Sequence, residues 1–319
     1  MIGAGDIVRK RIVPALREND NCDLIAVSRG RGERAEAFAA EFGIGKWYGD
    51  WRAMLADDEI QAVYVASPVY LHAGHTVAAA EAGKHVLCEK PMAMNVVECD
   101  AMIAACRANN VKLGIAYYRR FYPVIERIRQ IIASSEIGKP VFCQMNTFEF
   151  FNPGPDFPRH WFVEKEKSGG GPMMDFGCHR LEILTNLFGK VVRTESLTAN
   201  VAFDREVEDT AAVLLQFDSG TCASLVVTHA SHESRDTLDI YGTRGAIHIE
   251  RLNDGELTLR SEGGERREVH PPSANFHTPM IRDFADALIE NRDPRVGGDA
   301  GRIVAEIEDD IYRRKTNAT

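Results

Sequence analysis

The sequence predicts an α/β fold in two parts: a doubly wound parallel sheet, then a second α/β domain with a large, mostly antiparallel open sheet. Three observations predict it. Glycines at positions 3 and 5 open the chain, and a helical pattern follows them. Short buried strands then alternate with helices to about residue 116, which is the rhythm of a parallel sheet. From about residue 140 the strands lengthen and hairpin turns connect them.

The first element is a glycine-rich turn that precedes a helix. Gly3 and Gly5 stand in a G-x-G-x-x-V pattern, and the next buried strand follows at residues 24–27. Glycines let the backbone turn tightly and approach a pyrophosphate, which the N-terminus of the following helix then binds. This arrangement predicts that residues 1–118 form a dinucleotide-binding domain.

The tip of the strand at residues 24–27 bears on the choice of dinucleotide. An NAD site usually presents a carboxylate to the ribose 2′-hydroxyl at this point. Here the strand ends in Ser28 and Arg29, with Arg31 close behind. A guanidinium donates two hydrogen bonds to one phosphate, so the sequence favours NADP(H) over NAD(H). The alternative is that both arginines are loop charges and that Glu33 binds the ribose.

A candidate catalytic lysine follows a later strand. Residues 86–88 read as a buried strand, and Glu89, Lys90 and Pro91 follow it. In an open parallel sheet, ligands bind beyond the carboxyl ends of the strands. Lys90 therefore stands where a reacting substrate would bind, and Pro91 stiffens the turn that holds it. Taken alone, this stretch is better explained by a solvated lysine after a strand than by a catalytic one.

The remaining elements of this domain alternate as a doubly wound sheet requires. Helices are predicted over about residues 34–42, 51–55, 71–82 and 96–108, and strands over 62–66 and 111–116. His72 and His75 form an H-x-x-H pair near a helix start, but no acid or cysteine nearby completes a metal site. We expect His72 near the nicotinamide or in packing, and His75 as a partly exposed helix residue.

A second group of candidate residues lies on one helix. Three glycines at positions 169–171 precede it, and Asp175 and His179 are separated by four residues. This spacing places both side chains on one helix face. A carboxylate one turn away fixes the tautomer of an imidazole and raises its basicity, which makes His179 a candidate proton acceptor. The alternatives are an ordinary side-chain pair, or a zinc site that adds Cys178 but lacks a clear fourth ligand.

Aromatic and arginine residues at positions 117–123 mark the crossover into the second domain, residues 119–319. Such interleaving is found in proteins that bind single-stranded nucleic acid, but a net charge of −9 favours a wall that faces a sugar or a phosphate. Strands are predicted over residues 141–150, 195–203, 211–217, 221–229, 237–241, 246–249 and 256–259, with hairpin turns at Ser219-Gly220 and Gly263-Gly264 and closing helices over about 278–290 and 300–315.

Composition narrows the class of protein. The net charge of −9 argues against nucleic acid or an anionic membrane as a partner. The sequence has neither an apolar run of spanning length nor a secretory signal pattern, and its seven cysteines include no C-x-x-C pair. We therefore expect a cytoplasmic protein with unpaired thiols.

The G-x-G-x-x opening, the strand end Cys88-Glu89-Lys90-Pro91 and the glycine-rich helix with Asp175 and His179 together resemble the Gfo/Idh/MocA oxidoreductases. The resemblance implies a Rossmann domain and a C-terminal α/β domain whose open sheet packs in homodimers or homotetramers. It also implies hydride exchange between a nicotinamide and a hydroxyl or carbonyl of a sugar, polyol or sugar derivative. In this family pattern Lys90 contacts the reacting oxygen, Asp175 orients the substrate and His179 is the acid/base.

The predicted site residues fall into two sets. Cofactor contacts are expected from Gly3, Gly5, Asp6, Ile7, Ser28, Arg29, Ser67, Pro68, Leu71, His72, Glu89 and Lys90. Substrate contacts are expected from Tyr118, Arg159 and Trp161, beside His160, because an aromatic face with a few donors suits a polyhydroxylated ring. No metal is predicted. The alternative functions are a catalytically idle protein that senses NADP or a sugar and, more remotely, a metal-dependent hydrolase.

Three positions depart from the family pattern. Val69 stands where Asn is usual, and Glu182 stands where Asp is common. The chain opens at Met1-Ile2-Gly3, whereas the family has a full strand before the glycines. That strand lies centrally in the sheet, so we expect weaker cofactor binding from the shortened form.

Overall fold

The computed structural model describes residues 1–316 and divides them into two compact units. The first unit comprises Met1–Tyr118 and Ser273–Ala305, and the second comprises Arg119–Pro272 and residues 306–316. The segment from Ser273, which the sequence analysis groups with the C-terminal domain, is held in the first unit by backbone pairing. There the amide of Ile115 donates to the carbonyl of Val296 at 2.9 Å.

The chain forms the following secondary structure. The strands are β1 (Ala26–Ser28), β2 (Lys46–Tyr48), β3 (Ala62–Val65), β4 (His85–Cys88), β5 (Leu113–Ile115), β6 (Pro140–Phe150), β7 (Val191–Ala199), β8 (Thr210–Phe217), β9 (Cys222–Thr228), β10 (Ala230–Gly242), β11 (Gly245–Ile249), β12 (Glu256–Ser261) and β13 (Gly264–Val269). The α-helices are α1 (Val13–Arg17), α2 (Gly32–Phe42), α3 (Trp51–Leu55), α4 (His72–Glu81), α5 (Val96–Ala108), α6 (Pro123–Ala133), α7 (Lys165–Ser168), α8 (Cys178–Phe188), α9 (Thr278–Ile289) and α10 (Gly298–Thr316). Two π-helical segments, Val8–Ile12 and Met173–Gly177, precede α1 and α8.

The first unit has the parallel strand order of a doubly wound sheet. β1 pairs with β2, and β3, β4 and β5 pair in sequence. Ile2 joins the two groups, because it forms parallel bridges to Ser28 and to Val65. The resulting order is β2-β1-Ile2-β3-β4-β5, and the order reverses beside Ile2. Ligands of doubly wound sheets bind at such a reversal, beyond the carboxyl ends of the strands.

Gly3 occupies this reversal in a conformation that requires glycine. Its φ is +89°, and its amide donates to the carbonyl of Ser28 at 3.0 Å. A Cβ at this position would stand 2.6 Å from the carbonyl oxygen of Ala66. The backbone therefore turns between β1 and β3 where a larger residue has no room. Gly5 differs, because a Cβ there would meet nothing within 4 Å.

The second unit contains an eight-stranded sheet in the order β13-β12-β11-β10-β6-β9-β8-β7. All neighbours are antiparallel except β6 and β9, which run parallel. The carboxyl ends of these two strands therefore meet at one edge of the sheet. On one sheet face, the Phe188 ring at the end of α8 packs 5.5 Å from the Phe217 ring of β8. On the other face, Leu197 and Leu214 are 71% and 57% exposed.

The predicted fold class is confirmed. The hairpin turn predicted at Ser219-Gly220 joins β8 to β9, and the one predicted at Gly263-Gly264 lies one residue earlier, at Glu262-Gly263, between β12 and β13. The strand predicted over residues 195–203 instead spans Val191–Ala199. It ends early because the Asp209 carboxylate accepts hydrogen bonds from the amides of Val201, Ala202 and Phe203 and folds them into a loop. Strands β2 and β13 are additions that the sequence analysis did not predict. β13 is almost wholly exposed and carries no apolar alternation.

Among the residues that the structure describes, no helix is both long enough and apolar enough to cross a membrane.

We expect Gly3→Ala to lower the free energy of unfolding by about 2 kcal/mol or more, because the new Cβ would meet backbone that has no room to move. Gly5→Ala is the matched control and should stay within about 0.5 kcal/mol of the wild type. Urea unfolding without cofactor measures both variants. Equal midpoints for the two variants would contradict the steric argument.

Candidate active site

The turn after β4 places Lys90 at the carboxyl edge of the parallel sheet. Before it, the Glu89 side chain points inward and is 8% exposed. One Glu89 oxygen accepts from the Tyr64 hydroxyl at 2.8 Å, and the other accepts from the Lys90 amide at 3.2 Å. Burial raises the pKa of Glu89, while the Lys90 charge and these hydrogen bonds oppose the rise. Glu89 thus braces the turn, and Lys90 is left partly exposed.

His72 links this turn to the turn after β3. Its Nδ1 lies 3.0 Å from the carbonyl oxygen of Pro91, and its Nε2 lies 2.8 Å from that of Ser67. The side chain is 1% exposed, and burial lowers its pKa. We expected His72 near the nicotinamide or in packing. The structure uses both of its ring nitrogens on protein backbone, which suits a residue that positions the two turns.

His75 is buried, so the expectation that it is partly exposed is wrong. Its Nδ1 lies 2.9 Å from the Ser67 hydroxyl, and its ring packs edge-on against Trp51. Burial lowers its pKa to about 4, so the ring is neutral near pH 7. The H-x-x-H pair therefore serves the Ser67 turn through two separate contacts. Pro68, which follows, leads into a short 3₁₀ turn over Val69–Leu71.

Positive charge concentrates at the tip of β1. Ser28 is buried there, and its backbone binds Met1 and Gly3. The half-buried Arg29 follows it. Burial lowers the pKa of Arg29, and the nearby charges of Arg34 and Arg9 lower it further. An anion bound beside these side chains would relieve both effects.

The predicted contacts of the glycine turn lie at the surface. Gly5, Asp6 and Ile7 are all exposed, and Ile7 is the apolar member at 41%. Asp6 forms an i,i+4 ion pair with Lys10 at 3.6 Å. The turn thus presents backbone and one apolar side chain outward, just after the close packing of Gly3.

The glycines at positions 169–171 admit the protein's own atoms. A Cβ on Gly170 would meet the Tyr312 hydroxyl at 2.0 Å, and one on Gly171 would meet the Glu208 carbonyl at 1.9 Å. The buried Glu208 carboxylate accepts from the amides of Gly171 and Met173 at 2.9 and 3.3 Å and from the Tyr312 hydroxyl at 2.9 Å. These contacts fix the start of the helix that carries the predicted catalytic residues.

The predicted helix begins with a π-helical turn that the four-residue spacing did not indicate. Asp175 lies in the π segment, and His179 follows in the first turn of α8. Such π turns occur often at functional sites. Asp175 is partly exposed, whereas His179 is 3% exposed. Cys178 is fully buried, and its thiol lies 3.4 Å from the backbone oxygen of Asp175.

Buried ion pairs flank this helix. Arg180 and Arg119 both contact the Asp236 carboxylate, and Arg120 pairs with Glu182. The crossover arginines, which we expected in a wall that faces a sugar or phosphate, are therefore engaged with acids inside the second unit. Glu182, which departs from the family pattern, serves as the partner of Arg120.

The predicted substrate residues are divided between the units. In the first unit, the Tyr118 ring lies 4.4 Å from the His277 ring. In the second unit, Arg159 stacks over the rings of Phe151 and Phe162 at 4.9 and 4.6 Å, and Trp161 packs on Phe162 at 4.0 Å. His160 lies beside them, with Nδ1 3.0 Å from the carbonyl oxygen of Pro153.

Three further residues of the second unit, His229, Glu149 and Arg205, belong to no motif in the sequence. His229 follows β9, and its Nε2 lies 3.7 Å from Oδ2 of Asp175 and 3.7 Å from Oε1 of Glu149. On the other side of the ring, Nδ1 lies 3.0 Å from a guanidinium nitrogen of Arg205. The available signal was positional: His229 and Glu149 stand at the carboxyl ends of the strands that proved to be parallel neighbours.

Comparison with known proteins identifies both parts of the chain. Residues 1–117 match the family described as "Oxidoreductase family, NAD-binding Rossmann fold", and residues 125–248 match the GFO/IDH/MocA C-terminal domain. D-xylose 1-dehydrogenase (NADP(+)) 2 of Haloferax volcanii is 30% identical, over 98% of this chain and 95% of its own length. 1,5-anhydro-D-fructose reductase of Ensifer adhaerens is 28% identical, over 94% of this chain and 91% of its own.

Solved structures share the fold. Aldose-aldose oxidoreductase from Caulobacter crescentus, crystallised with glycerol, gives a TM-score of 0.90 at 26% identity and covers 100% of this chain and 97% of its own. Levoglucosan dehydrogenase in complex with NADH and levoglucosan gives a TM-score of 0.90 at 24% identity, with coverage of 100% and 96%.

We expect His75 to make stability sensitive to acid. Its pKa is about 4 in the folded protein and about 6.5 in an unfolded chain, so unfolding takes up a proton between these values. The stability of the neutral ring is complete above about pH 6.5 and is lost as the pH falls toward about 4. His75→Asn keeps a polar partner for Ser67 without a titrating ring, so its Tm should fall less than that of the wild type between about pH 7 and about pH 5.

The control for this prediction is His248→Asn, because His248 is a sheet residue paired with Asp239 at 2.7 Å. Parallel Tm profiles for the wild type and His75→Asn would show that His75 does not cause the acid sensitivity.

Proposed function

Because this chain belongs to the Gfo/Idh/MocA oxidoreductase family, we propose that it transfers a hydride between NAD(P) and a secondary hydroxyl or carbonyl of a sugar, polyol or sugar derivative. One observation carries the proposal. The two matched family regions contain the two candidate catalytic elements: the Lys90 turn lies in the first region, and the Asp175–His179 helix lies in the second. The names of the relatives, a xylose dehydrogenase and an anhydrofructose reductase, support the substrate class.

The residues of the first unit fit a dinucleotide. Gly3 brings the backbone turn against β3, and the turns after β3 and β4 end at the same edge of the parallel sheet. His72 ties these two turns together through the carbonyls of Ser67 and Pro91. This edge therefore offers fixed backbone groups and a partly exposed lysine where a doubly wound sheet binds its ligand.

Lys90 and His179 have separate tasks in the proposed reaction. A nicotinamide cofactor held at the edge formed by the Gly3, Ser67 and Lys90 turns would supply the hydride chemistry, as acceptor in oxidation and donor in reduction. Lys90 donates a hydrogen bond to the substrate oxygen, and its positive charge stabilises the negative charge that develops there. His179 accepts the hydroxyl proton in oxidation and returns it in reduction. Asp175 orients the substrate and holds the His179 ring.

The surroundings of His179 suit this work. The residue is 3% exposed, and the neighbouring Arg180 is fully buried against Asp236. Glu208 fixes the helix start, and Arg120 holds Glu182 one turn farther on. A proton acceptor on a helix fixed at several points keeps its geometry through the reaction without reorganisation.

We propose NADP(H) as the preferred cofactor. Arg29 is half-buried at the tip of β1, where dinucleotide sites contact the ribose 2′ position. Burial and the charges of Arg34 and Arg9 lower the pKa of Arg29. The 2′-phosphate of NADP carries negative charge that would attract these arginines, whereas the 2′-hydroxyl of NAD carries none.

We propose that the predicted substrate residues and the outer sheet face complete the functional surface. Arg159 and Trp161 form an aromatic and cationic cluster with Phe151 and Phe162, which suits a sugar ring.

The exposed leucines of β7 and β8 support packing of the outer sheet face in homodimers or homotetramers. A monomeric mass in sedimentation equilibrium would contradict the assembly.

Lys90→Ala and His179→Ala should each lower kcat at least about a hundredfold, or about 2.7 kcal/mol of barrier. Steady-state assays with sugars, inositols and related ketones, in the presence of NADP or NADPH, measure the effect. Lys112→Ala is the control, because Lys112 pairs with Asp293 at the surface. Near-normal turnover in either variant would remove that residue from the mechanism, and cofactor binding without turnover of any substrate would favour a sensing protein.

Arg29→Ala should weaken NADP binding relative to NAD at least about tenfold, or about 1.4 kcal/mol, because it removes a phosphate partner. Titration of wild type and variant with both cofactors gives the ratio. Glu33→Gln separates the alternative, because it weakens NAD binding only if Glu33 holds the ribose. An unchanged ratio in Arg29→Ala would exclude Arg29 as the discriminating residue.

A further inference from the structure

His229 is a buried histidine at the edge where β6 and β9 end. Its backbone amide donates to Asp209 at 2.8 Å, and its carbonyl accepts from Phe151 at 2.9 Å. The residue is 0% exposed, and the rings of Phe151 and Phe176 lie edge-on to it at 5.1 and 5.0 Å. Backbone pairing and two aromatic rings therefore hold the imidazole in one orientation.

Arg205 determines which nitrogen of this ring carries the proton. One of its terminal nitrogens donates to Nδ1 of His229 at 3.0 Å and to the carbonyl of Glu208 at 2.7 Å. The guanidinium is anchored further by the carbonyls of Phe151 and Val207. A guanidinium has donors and no acceptor, so Nδ1 must be the accepting nitrogen. The neutral ring therefore carries its hydrogen on Nε2.

That hydrogen faces two carboxylates. Nε2 lies 3.7 Å from Oδ2 of Asp175 and 3.7 Å from Oε1 of Glu149, and it is buried with no closer hydrogen-bond partner among the described residues. A separation of 3.7 Å exceeds a hydrogen bond, but the N–H dipole still attracts both negative groups. Asp175 has 14% side-chain exposure against 47% for Glu149. Since Glu149 remains solvated, Asp175 has more to gain from the contact.

The same three side chains have the composition of a metal site, since their ligand atoms lie within 4.8 Å of one another. The tautomer argues against one. Coordination would use the lone pair of Nε2 while Arg205 uses the lone pair of Nδ1, and a neutral imidazole has only one. Both contacts together would require an imidazolate. The arrangement instead provides a donor to a carboxylate.

We propose that His229 is a positioning residue for Asp175, held in its Nε2–H tautomer by Arg205. The Nε2–H group faces Oδ2 of Asp175 at 3.7 Å and attracts this carboxylate electrostatically. The kinetic consequence rests on the proposed function, whereas the tautomer does not. Arg205, His229 and Asp175 thus form a chain of contacts that ends at the catalytic helix.

Two substitutions of His229 separate its two nitrogens. His229→Gln places an amide near the Nε2 position and keeps a donor toward Asp175, but it loses the acceptor for Arg205. His229→Asn places an amide near the Nδ1 position, where it keeps the acceptor and loses the donor. The kcat of His229→Asn should fall at least about tenfold below that of His229→Gln, as expected for loss of a partner that orients a reacting group. A merely structural role predicts that kcat follows Tm in both variants.

A double-mutant cycle with Asp175→Asn tests the route. If His229 acts through Asp175, the difference between the Asn and Gln variants should disappear when Asp175 is replaced. Wild-type turnover with a normal loss in Asp175→Asn, but equal kcat for the two His229 variants at matched Tm, would overturn this inference and leave the proposed function intact. Absence of turnover in the wild type would instead count against the proposed function.

The tautomer has its own measurement, which needs no activity. Long-range ¹H–¹⁵N spectra of the full chain labelled in histidine should show His229 protonated at Nε2 and unprotonated at Nδ1, with its signals identified by their loss in His229→Asn. A proton on Nδ1 would overturn the proposal. So would a rise in Tm with Zn²⁺ or Mg²⁺ that His229→Asn abolishes, because it would show a metal ligand in place of the donor.

Discussion

Pairing between parallel strands governs where the candidate functional residues of both units lie. Parallel neighbours bring their carboxyl ends to one sheet edge, so residues far apart in sequence follow strands that end together. In the first unit β3 and β4 bring the Ser67 turn beside the Lys90 turn. In the second unit the single parallel pair, β6 and β9, brings Glu149 beside His229. The antiparallel strands around that pair complete the sheet, and Leu197 and Leu214 are exposed on its outer face.

The cost of burying polar groups explains why these edges are rigid. A buried donor or acceptor must find a partner inside the protein. The Glu89 carboxylate accepts from the Tyr64 hydroxyl, and the Glu208 carboxylate accepts from the Gly171 amide. The His75 ring contacts the Ser67 hydroxyl. Each of these contacts holds a turn or a helix start that carries a predicted functional residue. Satisfying the buried groups and positioning the site are therefore achieved by the same contacts.

The sequence predicts the elements whose signals are local, and it fails where the partner is remote. The glycine turn, the strand before Lys90 and the helix with His179 each have a local pattern. The early end of β7 does not, because it depends on Asp209 capturing three amides of the preceding loop. The local pattern around Arg119 and Arg120 likewise predicts a ligand-binding surface. Their actual partners, Asp236 and Glu182, are remote in sequence. His229 had no motif at all, only a position after a strand.

His72 and His229 show why a buried histidine cannot be assigned a task from its position alone. Both side chains are fully buried near the end of a strand, but the groups that contact their ring nitrogens differ. His72 faces a carbonyl oxygen at each nitrogen, so either tautomer of the neutral ring donates to backbone, and the ring lies between the turns at Ser67 and Pro91. The Nδ1 atom of His229 faces the Arg205 guanidinium. Because a guanidinium can only donate, the hydrogen of the neutral ring lies on Nε2, which faces Asp175. The nitrogen that faces away from the site thus decides what the nitrogen that faces the site can do.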